Sequence, residues 1–146
     1  MVYLCDIDGT LADITHRVRF LQEKPVNWKA FFAACPNDAP IPEVIEVVKS
    51  LNSFGNHVVM VTGRSDEVRN ETERWLVEHG ICFSAVFMRK AGDHREDTIV
   101  KAELLDEILK SVPLQSIGGV FEDRQQVVDM FRARGLRVFQ VAPGNF

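Results

Sequence analysis

Cysteine is scarce in this 146-residue chain. Cys5, Cys35 and Cys82 are too few to form a paired disulfide framework. Cys5 and Cys82 lie in or beside apolar runs, where buried, reduced thiols are expected. No apolar run approaches the ~20 residues of a membrane-spanning helix, and no signal-peptide pattern opens the chain. A cytoplasmic protein without a membrane partner is expected. Excess positive charge is missing too: 17 Lys and Arg against 21 Asp and Glu give a net charge of −4. That removes any general attraction to nucleic acid or to an anionic membrane surface. It leaves contact with a nucleic-acid end or a single nucleotide open. No second His or Cys stands at metal-ligand spacing beside His94, so no zinc site is expected. Internal repeats and low-complexity tracts are absent.

What is present is an ordinary globular composition, 46% hydrophobic and 26% charged, which fits a single domain over residues 1–146. The organising stretch is Val2-Tyr3-Leu4-Cys5-Asp6-Ile7-Asp8-Gly9-Thr10. Its apolar part reads as a buried parallel strand. Residues two apart on a strand point the same way, so Asp6 and Asp8 are expected to face one side where Gly9 turns the chain. Residues 18–42 fit no clean period and hold Pro25, Pro36, Pro40 and Pro42. They are expected to form a small cap insert with one helix near 27–34. Its aromatics, Trp28, Phe31 and Phe32, either close the core or partly cover a site.

Beyond the insert, strand and helix alternate. Helices are expected over 43–54, 66–79, 98–112 and 124–134, and strands over 57–61, 83–88, 117–121 and 136–141. The expected fold is α/β: a three-layer, Rossmann-like arrangement, with a mainly parallel sheet of about five strands and helices on both faces. Three strands end in polar clusters: Asp6/Asp8, Thr62-Gly63-Arg64 and Glu122-Asp123. Parallel strands bring such ends to one edge of the sheet, where ligands bind.

The chemistry follows from charge. A carboxylate attacking a phosphate meets an anion, at about 4 kcal/mol per unit-charge pair at ~4 Å and an intermediate dielectric. A divalent cation relieves this, and Mg²⁺ takes carboxylate, phosphate and water oxygens. Asp6 and Asp123 offer ligands. Lys101 and Arg64 offer positive charge, and Thr62 and the backbone N–H groups near Gly9 and Gly63 offer donors. Asp8 is placed to move a proton. Plainer roles compete: helix capping for Asp97 and Asp123, a solvated surface for Lys101, Arg17 and Arg64.

Asp6-Ile7-Asp8-Gly9-Thr10, Thr62-Gly63-Arg64, Lys101 and Glu122-Asp123 resemble the four motifs of the haloacid-dehalogenase-like (HAD) phosphohydrolases. Within them the chain most resembles the 3′-phosphatase domain of phage-type polynucleotide kinase. Gly92-Asp93-His94-Arg95-Glu96-Asp97 with Val100-Lys101, and Glu122 to Met130, are the most specific stretches. The resemblance implies Asp6 as nucleophile and Asp8 as general acid/base. It implies Mg²⁺ held by Asp6, the Asp8 backbone carbonyl and Glu122-Asp123, with Glu122 acting through water. Phosphate contacts are implied from Asp8, Gly9, Thr62, Gly63, Arg64 and Lys101. Arg17 matches an arginine important for activity, and Asp97 an acid that orients Lys101. No Gly-x-x-x-x-Gly-Lys-Ser/Thr loop occurs, so kinase activity is not expected. The expected function is an Mg²⁺-dependent phosphomonoesterase acting on nucleotide or nucleic-acid 3′-phosphate ends through an aspartyl-phosphate. No obligate protein partner is expected. Arg17, Arg19, Arg89, Lys90 and Arg95 are candidates to hold a polymer end. A 5′-nucleotidase or general small-molecule phosphatase is the alternative enzyme, and a phosphoacceptor or phosphate-binding module the non-enzymatic one.

Overall fold

The computed structural model describes residues 1–146. In chain order its strands are β1 (Val2–Cys5), β2 (Ala12–Asp13), β3 (Ala39–Pro40), β4 (His57–Ser65), β5 (Ala85–Arg89), β6 (Ile117–Glu122) and β7 (Val138–Gln140). Its helices are α1 (Trp28–Ala33), α2 (Pro42–Ser53), α3 (Arg69–Glu78), α4 (Asp97–Leu109) and α5 (Gln125–Ala133). Five strands form one sheet in the order β5-β4-β1-β6-β7, and every neighbouring pair is parallel. From β1 the chain steps outward through β4 to β5, crosses back, and steps outward the other way through β6 and β7. The direction of travel reverses beside β1, which opens a crevice at the carboxyl ends of the central strands.

Both faces of the sheet are covered. In β4, Val58 and Met60 pack with Ile45 and Val48 of α2 and with Trp75 and Leu76 of α3. The alternate residues Val59 and Val61 pack with Leu105 and Ile108 of α4 and with Val127, Val128 and Phe131 of α5. A strand buried on both sides has no reason to alternate in polarity, which explains the unbroken apolar run at 58–61. β4 also runs four residues past that run, to Ser65, because its polar end still pairs with β5. The stretch expected as one helix over 66–79 begins as a 3-10 turn at Asp66–Val68 and becomes α3 only at Arg69.

The insert is bounded differently from the expectation. β2 and β3 pair antiparallel, Ala12 with Pro40 and Asp13 with Ala39, and clasp its base. Between them run 3-10 turns over Thr15–Gln22 and the short helix α1. Pro42 lies outside the clasp, in the first turn of α2, where a missing N–H is harmless. Phe31 and Phe32 of α1 enter the core, whereas Trp28 stays exposed. No helix of the chain is long and apolar enough to cross a membrane.

Candidate active site

Asp6 follows directly on β1, and its neighbours Cys5 and Ile7 are both fully buried. The carboxylate is therefore buried as well, and it has two side-chain partners, Lys101 and Thr10. Lys101, in the first turns of α4, donates to Asp6 Oδ1 at 2.8 Å and to Glu122 Oε2 at 2.7 Å. Thr10 Oγ1 donates to Asp6 Oδ2 at 3.0 Å. Glu122, at the end of β6, accepts from the backbone N–H of Asp123 and of Arg124, both at 3.1 Å. Lysine is rarely fully buried unless paired, and the two carboxylates account for this one. Burial opposes the Lys101 charge, but Asp6 and Glu122 outweigh it and hold the ammonium well above its usual range.

The acids around it are crowded. Burial, then the Glu122 charge, pushes Asp6 up to about 7. Burial, then the Asp6 charge, pushes Asp123 up to about 6. Oxygens of Asp6, Glu122 and Asp123 lie within 4.8 Å of one another. Lys101 pairs with Asp6 and Glu122; no ion pair reaches Asp123. A hard divalent cation fits this donor set, all oxygen and short of positive charge. Asp6, Glu122 and Asp123 are the carboxylates that could hold it.

Gly9 is required at this point. Its φ is +80°, and a Cβ there would collide with the Asp123 carboxylate. Gly9→Ala is expected to cost more than about 1 kcal/mol of stability. It should also lower kcat/KM about a hundredfold by displacing Asp123; thermal melts and phosphate release measure the two effects.

Asp8 does not share the Asp6 environment. Cys5 and Ile7 enter the same core cluster, so the alternation carries one step past the strand, but the two carboxylates meet different hydrogen-bond partners. Arg17 Nη2 and Arg64 Nε each donate to Asp8 Oδ1 at 2.8 Å. Burial opposes its charge, but Arg64 and then Arg17 outweigh it and hold the carboxyl below its usual range. Both arginines are fully buried and share a second acid, Asp38. Arg17 grips it through Nε and Nη2 at 2.8 and 2.7 Å, and Arg64 through Nη2 at 2.8 Å. His16 Nε2 lies 2.6 Å from Asp38 Oδ1, and the Trp75 indole N–H donates to the Asp38 backbone carbonyl at 2.9 Å.

Sequence reasoning missed Asp38. Standing between Pro36 and Pro40, it has the look of a turn residue, and nothing local marks it as the acid between two arginines.

A similar unit flanks the other side. Asp97 accepts from Arg89 and, at 3.1 Å, from Arg124 Nη1. It does not hydrogen-bond Lys101, the residue it was expected to orient. Instead it packs so closely on Gly63 that a Cβ there would lie 2.6 Å from Asp97 Oδ1. Thr62 is buried, and its Oγ1 accepts from the Arg64 N–H at 3.1 Å, leaving the hydroxyl proton free to donate. The basic residues proposed to hold a polymer end separate into two groups. Arg17 is buried, Arg89 is buried on Gly63, Asp93, Arg95 and Asp97, and Arg95 is paired with Asp93 and Glu103. Arg19 and Lys90 remain exposed.

A family model, the polynucleotide kinase PNKP phosphatase domain, matches residues 1–146. The chain belongs to this family. As a PNKP-type phosphatase domain it is a phosphoric monoester hydrolase of the HAD class. A chain of the Pnkp1/Rnl/Hen1 RNA repair complex is 31% identical, covers 99% of this one and superposes with a TM-score of 0.83. A chain from another structure of the Pnkp1/Rnl/Hen1 complex gives 29%, 99% and 0.81. This PNKP-type domain spans only 43% and 47% of the lengths of those two chains. The class C acid phosphatase from Bacillus anthracis with tungstate bound, at 14% identity and a TM-score of 0.70 over 99% of this chain and 66% of that one, shares the fold.

Proposed function

We propose that this domain hydrolyses 3′-phosphate monoesters at nucleotide or nucleic-acid ends with Mg²⁺ as cofactor, and that Asp6 is the nucleophile. The observation that carries this is the buried Asp6 carboxylate, fixed by Lys101 and Thr10 and crowded by Glu122 and Asp123. Asp6, Asp123 and the Asp8 backbone carbonyl would hold the Mg²⁺, which supplies the positive charge that lets a carboxylate approach a phosphate. Glu122 stands behind them and holds Lys101.

An Asp6 oxygen attacks phosphorus. The bond from phosphorus to the ester oxygen breaks, and Asp8 delivers a proton to the departing alkoxide. A water then attacks phosphorus and gives its proton to Asp8. The bond to Asp6 breaks, and inorganic phosphate leaves. In the free protein Arg17 and Arg64 keep Asp8 ionised. An incoming phosphoryl group competes for those same guanidiniums, and as they turn toward it the Asp8 carboxyl rises and can carry the proton. Thr62 and Lys101 complete the cradle for the phosphoryl oxygens.

The 31% identical neighbour sits in an RNA repair complex, which supports a nucleic-acid end as substrate.

Phosphate release from matched nucleoside 3′- and 5′-monophosphates tests the reading. The 3′ ester is expected to be preferred at least about tenfold, a difference of about 1.4 kcal/mol. Preference for the 5′ ester would replace this assignment with a 5′-nucleotidase. Chelation is expected to abolish turnover. Saturating Mg²⁺ should raise the melting temperature, by about 2.7 kcal/mol of added stability at a hundred times its dissociation constant. Asp123→Asn should remove that rise, and full activity in a chelator would exclude the cation.

A further inference from the structure

The chain is acidic overall, yet residues 14–37 carry Arg17, Arg19, Lys24 and Lys29 against the single acid Glu23. Arg17 is engaged with Asp8 and Asp38. Arg19, Lys24 and Lys29 are exposed, and none of them enters an ion pair. The same segment presents Trp28, 39% exposed although three rings surround it. Trp28 stacks on Phe32 at 6.0 Å between ring centroids and 23° between planes, and on His94 at 5.9 Å and 25°. Phe31 meets it edge-on at 6.2 Å.

This stack joins the two sides of the catalytic crevice. On the insert side, Phe31 lies 4.5 Å under the Arg17 guanidinium, which reaches Asp8 at 2.8 Å. On the other side, His94 belongs to the loop between Arg89 and Asp97, and Arg89 ties that loop to the Gly63 carbonyl at 2.7 Å. Basic side chains lie beside the rings. Lys29 follows Trp28 in α1. Arg19 covers the Phe20 ring at 4.8 Å, and the Phe20 carbonyl accepts from Asn27 N–H, one residue before Trp28, at 3.0 Å. Lys90 is exposed on the His94 side. Unpaired cations interleaved with partly exposed aromatic rings suit single-stranded nucleic acid, whose phosphates need charge and whose bases need a flat face. A purely structural brace would explain the stack but not the unpaired lysines and arginine.

Building on the 3′-end reading above, we propose that the insert is a single-strand nucleic-acid subsite. The Trp28–His94 stack receives a base near the reacting end, and Arg19, Lys24 and Lys29 hold the phosphodiesters that precede it.

The test uses a fluorescein-labelled single-stranded 12-mer with a 3′-hydroxyl, followed by anisotropy across a salt series. This probe carries no scissile phosphate, so its binding does not depend on which ester is hydrolysed. Wild type is expected to bind. R19A/K24A/K29A should flatten the slope of log Kd against log salt by about 2, from ~0.7 per lost phosphate contact. Phosphate release from a nucleoside 3′-monophosphate should be unchanged in this variant. Trp28→Ala should weaken the 12-mer about tenfold. Trp28→Phe, which keeps an aromatic ring in the stack, should weaken it less. Absence of wild-type binding, or either Trp28→Ala or the triple variant matching wild type in its own readout, overturns the proposal. Failure of the 3′-end reading itself would show elsewhere, as 5′ preference in the release assay.

Discussion

Asp6→Asn is expected to fold and not turn over. The amide oxygen can still accept from Lys101 or Thr10, so the neighbourhood keeps its shape. The melting temperature should stay within about 5 °C of wild type, or a shift of roughly 1–2 kcal/mol for a domain of this size. The amide cannot form the acyl-phosphate bond, and kcat should fall by about 10⁴-fold or more, as when a nucleophile is removed from a site whose parts act together. Circular dichroism, thermal melting and phosphate release decide it. Near-normal turnover would remove Asp6 from the reaction.

Asp38→Ala should do damage of a different kind, lowering stability and activity together. Asp38 accepts three hydrogen bonds from Arg17 and Arg64 and lies fully inside the protein. Removing it leaves two buried guanidiniums with Asp8 as their one remaining acidic partner. Breaking a buried pair on one side costs about 3–5 kcal/mol, which denaturant unfolding would register directly. Because Arg17 and Arg64 also orient Asp8, kcat/KM should drop by about 10²–10³. Asp38→Asn separates the contributions: it keeps the shape, loses the charge, and should fall between wild type and Asp38→Ala in both measurements. Unchanged stability in Asp38→Ala would mean that the arginines find other partners.

These two residues also mark what the sequence could and could not reveal. Asp6 was legible because its signal is local: an apolar strand, two acids, a glycine and a hydroxyl in consecutive positions. The alternation of strands and helices was legible for the same reason, and the parallel order of β4, β1 and β6 puts their polar ends on one edge of the sheet. Asp38 was not legible, because its meaning lies in Arg17 and Arg64, one of them 26 residues along the chain. The pairing of Asp97 with Arg89 and Arg124 instead of Lys101 is likewise a fact of three-dimensional packing. The insert misled for a physical reason. Its 3-10 turns at 15–22 have no 3.6-residue period to read, and its clasp is two residues long on each side.

β1 is paired along its length on both edges, to β4 and to β6. Exposing its amides to solvent therefore requires a neighbouring strand to leave first, whereas β5 and β7 can fray singly. Slow hydrogen–deuterium exchange should accordingly be concentrated at Leu4 and Cys5, at protection close to that of complete unfolding. The residue that follows them inherits that immobility: breathing motions at the periphery of this molecule can admit and release ligands while the attacking oxygen stays where it is.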